Sequence, residues 1–364
     1  MKRRLLAIIL LIVCARLVCA QKFLYDVDFV LNFDNRESHS VYEQSQTIFG
    51  FRLTPTIGVG LNDSLGGTHR LMAGVSYIQP CGASWRHVKV YPTVYYRYDW
   101  RGFTMHAGFV PYNELQYALP DYLRSDSLAF AYPNVQGALF EYRSRHGYAM
   151  AMCDWRGMMS SETREAFRII AGGRYNHKWF CTGGYAQMNH LSHNADTLWG
   201  VCDDILINPF AGANLSDYTP LDSLSIQVGY LGSFERDRRY SEQWWRSGAQ
   251  AELCLVWKFI GFRNLLYVGQ NQMPLYRRYG QVLNQGDPRY QALLYNRSDL
   301  YFYIVRRSFV TCYAGWSFLV SREPTQEGSV HSVLSHQQQV VCRFNLDAVL
   351  HNRHKTTIRT LSWR

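Results

Sequence analysis

Past its first twenty residues this sequence has no run of eighteen apolar residues, so no transmembrane helix is available to it. It lacks a glycine-rich loop opening a helix, which removes the scaffold for cradling nucleotide phosphates. Its histidines, among them His69, His87, His106, His177 and His190, are dispersed, and no pair has metal-ligand spacing. No metal and no cofactor is expected. Convincing helical periodicity is nearly absent. Net charge is also modest. The formal +10 falls to +6 once the four basic residues of the first twenty are set aside. The basic residues are scattered rather than striped, so no nucleic-acid partner is expected.

Cysteine is present without the arithmetic of a disulfide framework. Two of the nine lie in the first twenty residues, and the remaining seven are an odd number. Cys153, Cys181, Cys254, Cys312 and Cys342 sit in apolar strand-like runs and read as small buried or lipid-facing hydrophobes. Cys81 and Cys202 lie near loops and could pair.

What is there begins with an address. Lys2, Arg3 and Arg4 precede an unbroken apolar run from Leu5 to Val13, and Val18-Cys19-Ala20 precede a cut expected at Gln21. That is the layout of a secretory signal peptide over residues 1–20.

The dominant signal downstream is period two. Tyr25, Val27, Phe29, Leu31 and Phe33 alternate with Asp26, Asp28, Val30, Asn32 and Asp34. The same alternation runs through 49–61, 88–100, 224–230 and 249–259. Successive strand side chains point to opposite faces, so each segment has one apolar face and one largely polar face. Short turns are expected at 62–68, 100–102, 144–147, 176–179, 259–264 and 305–308. Longer polar connections are expected at 34–46, 78–86, 111–134, 156–164, 191–204, 235–247, 270–298 and 321–332, and 215–223 is intermediate. Short and long mostly alternate, as in a transmembrane barrel with tight periplasmic turns and long outer loops. The 26 tyrosines and 10 tryptophans suit the aromatic girdles of such a barrel.

The expected fold class is therefore all-β: an antiparallel transmembrane β-barrel of about sixteen strands, within 14–18. It would occupy 21–346 in the cell outer membrane, end in a strand near Ser335–Leu346, and be followed by a basic tail over 347–364. The arrangement resembles porin-like outer-membrane barrels of Gram-negative bacteria. Asn32-Phe33-Asp34-Asn35-Arg36-Glu37 and Gly286-Asp287-Pro288-Arg289-Tyr290 resemble segments of a subgroup without an assigned activity. The resemblance implies a barrel in contact with outer-membrane lipid, and sets no oligomeric state.

Candidate lumen-lining residues are Asp26, Asp28, Asn32 and Asp34 on an acidic wall, with Arg52, Lys89, Arg97, Arg168 and Arg174 on a basic one. Opposed walls of charge create a transverse field that screens small polar solutes. The competing reading is that these charges pair and hold a filled lumen rigid. The connection 270–298 is expected either to fold into the mouth and constrict it or to cap the outside. Tyr112, Tyr117, Tyr122 and Tyr132 offer a sugar-stacking surface or plain loop packing.

One enzyme-like pattern remains. His190-Leu191-Ser192 at a strand end resembles the His-x-Ser-Asn element of outer-membrane phospholipases and lipid A deacylases, with Asn194 one place later than that element has its Asn. The leading expectation is a porin-like channel or binding barrel for small polar solutes. The alternatives are a lipid hydrolase using His190 and Ser192, and a closed structural or surface-binding barrel.

Overall fold

The computed structural model describes residues 22–194, 200–324 and 329–347, so the signal segment 1–20 and the tail beyond Asp347 lie outside the described residues. Sixteen antiparallel strands close into one barrel. The first eight are β1 (Lys22–Glu37), β2 (Gln46–Asn62), β3 (Thr68–Pro80), β4 (Lys89–Trp100), β5 (Phe103–Pro111), β6 (Asn134–Ser144), β7 (Gly147–Gly157) and β8 (Ala166–His177). The rest are β9 (Phe180–Leu191), β10 (Cys202–Asn214), β11 (Ser223–Asp237), β12 (Glu242–Trp257), β13 (Ile260–Gly269), β14 (Leu294–Arg306), β15 (Val310–Pro324) and β16 (Val330–Asp347). Each pairs with its sequence neighbours, and β1 closes on β16 with Val27 opposite Leu346 and Phe33 opposite Val340. Closure leaves no edge, which is what lipid demands of a spanning sheet.

Period two sorts the side chains as expected. On β12 the outward set is Trp245, Ser247, Ala249, Ala251, Leu253, Leu255 and Trp257. The two tryptophans mark its ends, 74% and 46% exposed. Twelve residues of strand cover about 40 Å. At the usual tilt of about 40° that path rises roughly 30 Å, enough to span an apolar band. The inward set on β11 is mostly polar, with Ser223, Ser225, Gln227, Ser233, Glu235 and Asp237, whereas on β13 Arg263 stands beside Leu265 and Tyr267. With its lipid-facing belt and closed ladder, the protein is an outer-membrane β-barrel.

Turn chemistry keeps one end tight. Arg101 and Gly102 both have positive φ (45° and 85°), which matches a two-residue hairpin turn to the right-handed twist of the strands. A Cβ at Gly102 would also collide with the Arg143 carbonyl. Several expected boundaries move. The turn expected at 259–264 is only 258–259, because Ile260 already pairs with Trp257. The connection expected at 235–247 shrinks to 238–241, since β11 and β12 stay paired out to Asp237 and Glu242. Charged side chains there follow the same alternation but read as loop. The last strand is longer than expected, Val330–Asp347.

Cysteine pairing also differs from expectation. Cys312 and Cys342, directly opposed on β15 and β16, form a disulfide, while Cys81 and Cys202 are free. The cross-strand register, invisible in sequence spacing, brings the first pair together.

Val228 sits opposite Ala251, midway between Trp245 and Trp257 on the lipid face. Val228→Arg is expected to cost about 2–4 kcal/mol. Ser225→Arg, on the lumen face of the same strand, is expected to cost far less. Urea unfolding of the barrel from lipid vesicles measures both.

Candidate functional site: charged cavities beside a two-loop plug

A sixteen-strand barrel is wide enough to leave an aqueous lumen. Here the two longest connections fold into it. Residues 112–133 carry a helix α1 (Asp126–Ala131), and residues 270–293 carry a single turn α2 (Tyr276–Tyr279). Of the two expectations for the second connection, the inward one is observed. Tyr122, Leu123, Leu283, Tyr290 and Ala292 are all at most 2% exposed.

The two loops are tied to each other. Ser125 donates its backbone N–H to the Gln285 carbonyl and Asp287 donates its own to the Asp121 carbonyl, both at 2.8 Å. Gly286 lets the chains approach, since a Cβ there would sit on the Tyr122 carbonyl. The Tyr122 and Tyr290 rings meet edge to face at 6.1 Å. Tyr112 and Tyr122 are buried and Tyr117 stacks on Tyr148 at 4.0 Å, so these three tyrosines pack the plug, while Tyr132 is half exposed.

The wall holds the plug from many sides. Arg97 on β4 pairs with Glu114 (2.5 Å). The Arg168 guanidinium on β8 donates to the Leu123 carbonyl (2.9 Å) and the Tyr112 hydroxyl (2.6 Å), beside Asp154 at 3.5 Å. Tyr122 donates to Asn208 on β10. Arg263 on β13 pairs with Asp121 (3.0 Å), and Arg297 on β14 pairs with Asp126 (3.0 Å). A buried ion that loses its partner is strongly destabilising, so each of these pairs penalises displacement of a loop.

Along the β1–β2–β16 side the plug leaves space. One cavity of about 180 Å³ lies between these strands and α1. Arg52, Arg124, Arg263, Arg297 and Arg343 face it, against Asp28, Asp34 and Asp126. Asp28 is shared by Arg343 at 2.6 Å and Arg52 at 3.6 Å. Burial pulls the Arg124 guanidinium down to about 10, which still leaves it charged at neutral pH. A second cavity, about 170 Å³, lies nearer the long-loop end among Arg36, Glu43, Asp287 and Arg289. Asp126 and Arg297 line both cavities, so their ion pair stands at the neck between them.

The residues singled out from sequence fall into three groups. Asp28, Asn32, Asp34 and Arg52 line the first cavity together, with Asp26 buried further down β1. Arg97 and Arg168 point inward but are buried against the plug. Arg174 is buried and donates to Asn176, beside a separate opening near the short-turn end, and Lys89 is an exposed rim residue at the start of β4. The sequence reading missed Arg263, Arg297 and Arg343, and missed Arg124 and Asp126 on the inward loop. A local signal existed for part of this. Asp34/Arg36, Arg97/Asp99 and Arg297/Asp299 are opposite charges two residues apart on one strand face, and each pair bonds at 2.6–2.7 Å.

His190 and Ser192, the pair of the lipid-hydrolase alternative, each bond to another residue. His190 faces outward near the long-loop end of β9, stacks on Phe167 (4.9 Å) and binds Asp203 through Nδ1 at 2.8 Å. Ser192 lies beyond the strand end and its Oγ meets His193 Nδ1 at 3.1 Å. Once the strand stops at Leu191, spacing two no longer guarantees a shared face.

Arg168→Met leaves Asp154 and the Leu123 carbonyl without this donor. It is expected to cost about 3–5 kcal/mol, read by urea unfolding. Arg145→Met at an exposed turn should leave stability unchanged.

Solved structures share this architecture. Pseudomonas aeruginosa OpdL aligns with a TM-score of 0.51 at 10% identity, over 90% of this chain and 99% of that one. P. aeruginosa OpdK, solved with vanillate, gives the same values. The loop L8 deletion mutant of Vibrio cholerae OmpT, an outer-membrane protein, aligns at 0.51 and 10% identity over 90% of this chain and all of that one. At such identity the likeness is one of fold. No curated protein matches the chain. A family match extends over residues 20–352, nearly the whole chain, and by it this protein belongs to the lipid A 3'-O-deacylase-type family.

Proposed function

We propose that the barrel passes or captures small polar solutes along its β1–β2–β16 wall, and that the charge there favours anions. The observation that carries this reading is the pair of charged cavities joined at Asp126 and Arg297. Of the five guanidinia lining the inner cavity, Arg263 and Arg297 are paired with Asp121, Glu252, Asp299 and Asp126, so the positive field on an entering ion rests on Arg52 and Arg343, which share Asp28, and on Arg124. The lumenal acids and bases named from sequence would act as the two sides of that field, with Asp28, Asn32, Asp34 and Arg52 in the passage. Arg97 and Arg168 would act through the plug, holding the constriction in place.

The folded protein in a planar bilayer is expected to give small, stepwise currents in symmetric salt and a reversal potential in a salt gradient that favours anions. Arg52→Ala should reduce the anion preference. Replacing 126–131 with a glycine-serine stretch should raise conductance several-fold. Silence from a folded barrel, with no solute retained on equilibrium dialysis, would sink the proposal and leave a closed structural or surface-binding barrel.

A second reading has its own support. Membership of the lipid A 3'-O-deacylase-type family favours hydrolysis of an acyl chain on an outer-leaflet glycolipid. An outward His190 oriented by Asp203, with Arg236 on the same carboxylate at 2.7 Å, is a base that such a lipid could reach. Ser192 would have to turn from His193 to serve as nucleophile. Incubation with lipid A, followed by mass spectrometry for loss of one ester-linked acyl chain, tests it. Loss abolished by His190→Ala and by Ser192→Ala supports this reading, and no loss with the parent protein rejects it.

A further inference from the structure

Glu43 stands on the connection between β1 and β2, residues 38–45, yet its side chain is only 6% exposed. The chain around it is open: Val41, Gln44 and Ser45 are all exposed. A buried carboxylate on an exposed connection has to be paired, and two guanidinia pair it. Arg36, near the end of β1, donates Nη1 to Glu43 Oε1 at 2.9 Å. Arg289, on the second inward loop, pairs with Glu43 Oε2 through Nη2. All three residues line the outer cavity.

Neither arginine depends on Glu43 for a counter-charge. Arg36 donates Nε and Nη2 to Asp34 at 3.1 and 2.7 Å. Arg289 donates its backbone N–H and Nη1 to Asp287 at 3.0 and 3.2 Å. Glu43 takes the remaining ends, Arg36 Nη1 and Arg289 Nη2, which converge from two separate elements. Arg289 Nε is buried beside them and makes no hydrogen bond. Guanidinia whose spare N–H groups converge on one carboxylate form an anion site, and here a carboxylate of the chain itself fills it.

The mounting of that carboxylate is light. Ser38 donates its backbone N–H to Ser45 Oγ at 2.9 Å across the base of the connection. Ser40 Oγ and the Val41 N–H donate to Glu323 near the end of β15 at 2.6 and 3.1 Å. These are side-chain bonds at an exposed end, whereas the two inward loops are tied backbone to backbone. Segments held in this way open at low cost, and the strands beneath stay paired out to Arg36 and Gln46.

We propose that Glu43 is a tethered competitor: it occupies the anion site of the outer cavity, a passing anion must displace it, and it thereby sets how strongly the barrel prefers anions. This inference rests on the passage proposed above along β1, β2 and β16.

The folded barrel in a planar bilayer under a KCl gradient reads the anion-to-cation permeability ratio. Glu43→Gln keeps the side-chain size and removes the charge, and is expected to raise the ratio several-fold. Glu43→Asp keeps the charge but withdraws it from the two guanidinia, and should raise the ratio part of the way. Glu162→Gln, exposed on the β7–β8 connection, should leave the ratio at the parental value. The urea midpoint of Glu43→Gln should stay near that of the parent, because Arg36 and Arg289 keep Asp34 and Asp287. Current from the parent with an unchanged ratio in Glu43→Gln overturns the role of Glu43 and leaves the passage standing. A raised ratio in Glu43→Gln with a parental one in Glu43→Asp makes Glu43 a background charge and overturns the competitor. Silence from the parent with current from Glu43→Gln supports the proposal, and silence from both removes it together with the passage. If Glu43→Gln does not fold, Glu43→Asp decides: a raised ratio supports the proposal and a parental one overturns it.

Discussion

Everything inside this barrel depends on a single electrostatic demand: guanidinia and carboxylates removed from bulk water must find one another. The wall alone does not satisfy it. Arg97, Arg168, Arg263 and Arg297 complete their bonding with Glu114, the Leu123 carbonyl, Asp121 and Asp126, all on the first inward loop. The loop in turn could not lie in a polar lumen without those donors and acceptors. Wall and plug are thus mutually required, and the free space is whatever this pairing leaves over, the strip along β1, β2 and β16.

The fold was legible in the sequence because closure enforces period two everywhere, and period two is written residue by residue. The apolar outer set followed from it, and the count of sixteen strands followed from the turns that interrupt it. Where charged residues continue the alternation past the membrane, as at 235–247, polarity imitates a loop and the boundary moved. The site was legible only along β1 and β2. Asp28, Asn32, Asp34 and Arg52 are close in sequence and share one wall. Arg343 reaches Asp28 only because the last strand closes on the first, and Asp126 reaches Arg297 only because a loop turns inward. No local pattern encodes either event. The Cys312–Cys342 bond belongs to the same class, fixed by register rather than spacing.

The family match and the architecture direct attention to opposite faces of one sheet. Asp203 and Asp204 are adjacent, yet alternation sends the first outward to His190 and Arg236 and the second inward to the loop junction. One strand thereby serves two environments, the outer rim of the barrel and its interior. Chemistry on lipids and passage of solutes need not compete for the same residues, because the pleat keeps them apart.

The link between Asp121–Ser125 and Gln285–Asp287 joins segments from opposite halves of the chain. Contacts of such long range form late, because the intervening chain must first be ordered. The first inward loop finds partners for Glu114 and Tyr112 on β4 and β8, whereas Asp121 and Asp126 need Arg263 and Arg297 from the other half of the chain. The plug is therefore complete only when β13 and β14 supply Arg263, Arg297 and the second loop. Docking of the two loops is thus a long-range step of folding, set by contacts between distant parts of the chain and not within one hairpin.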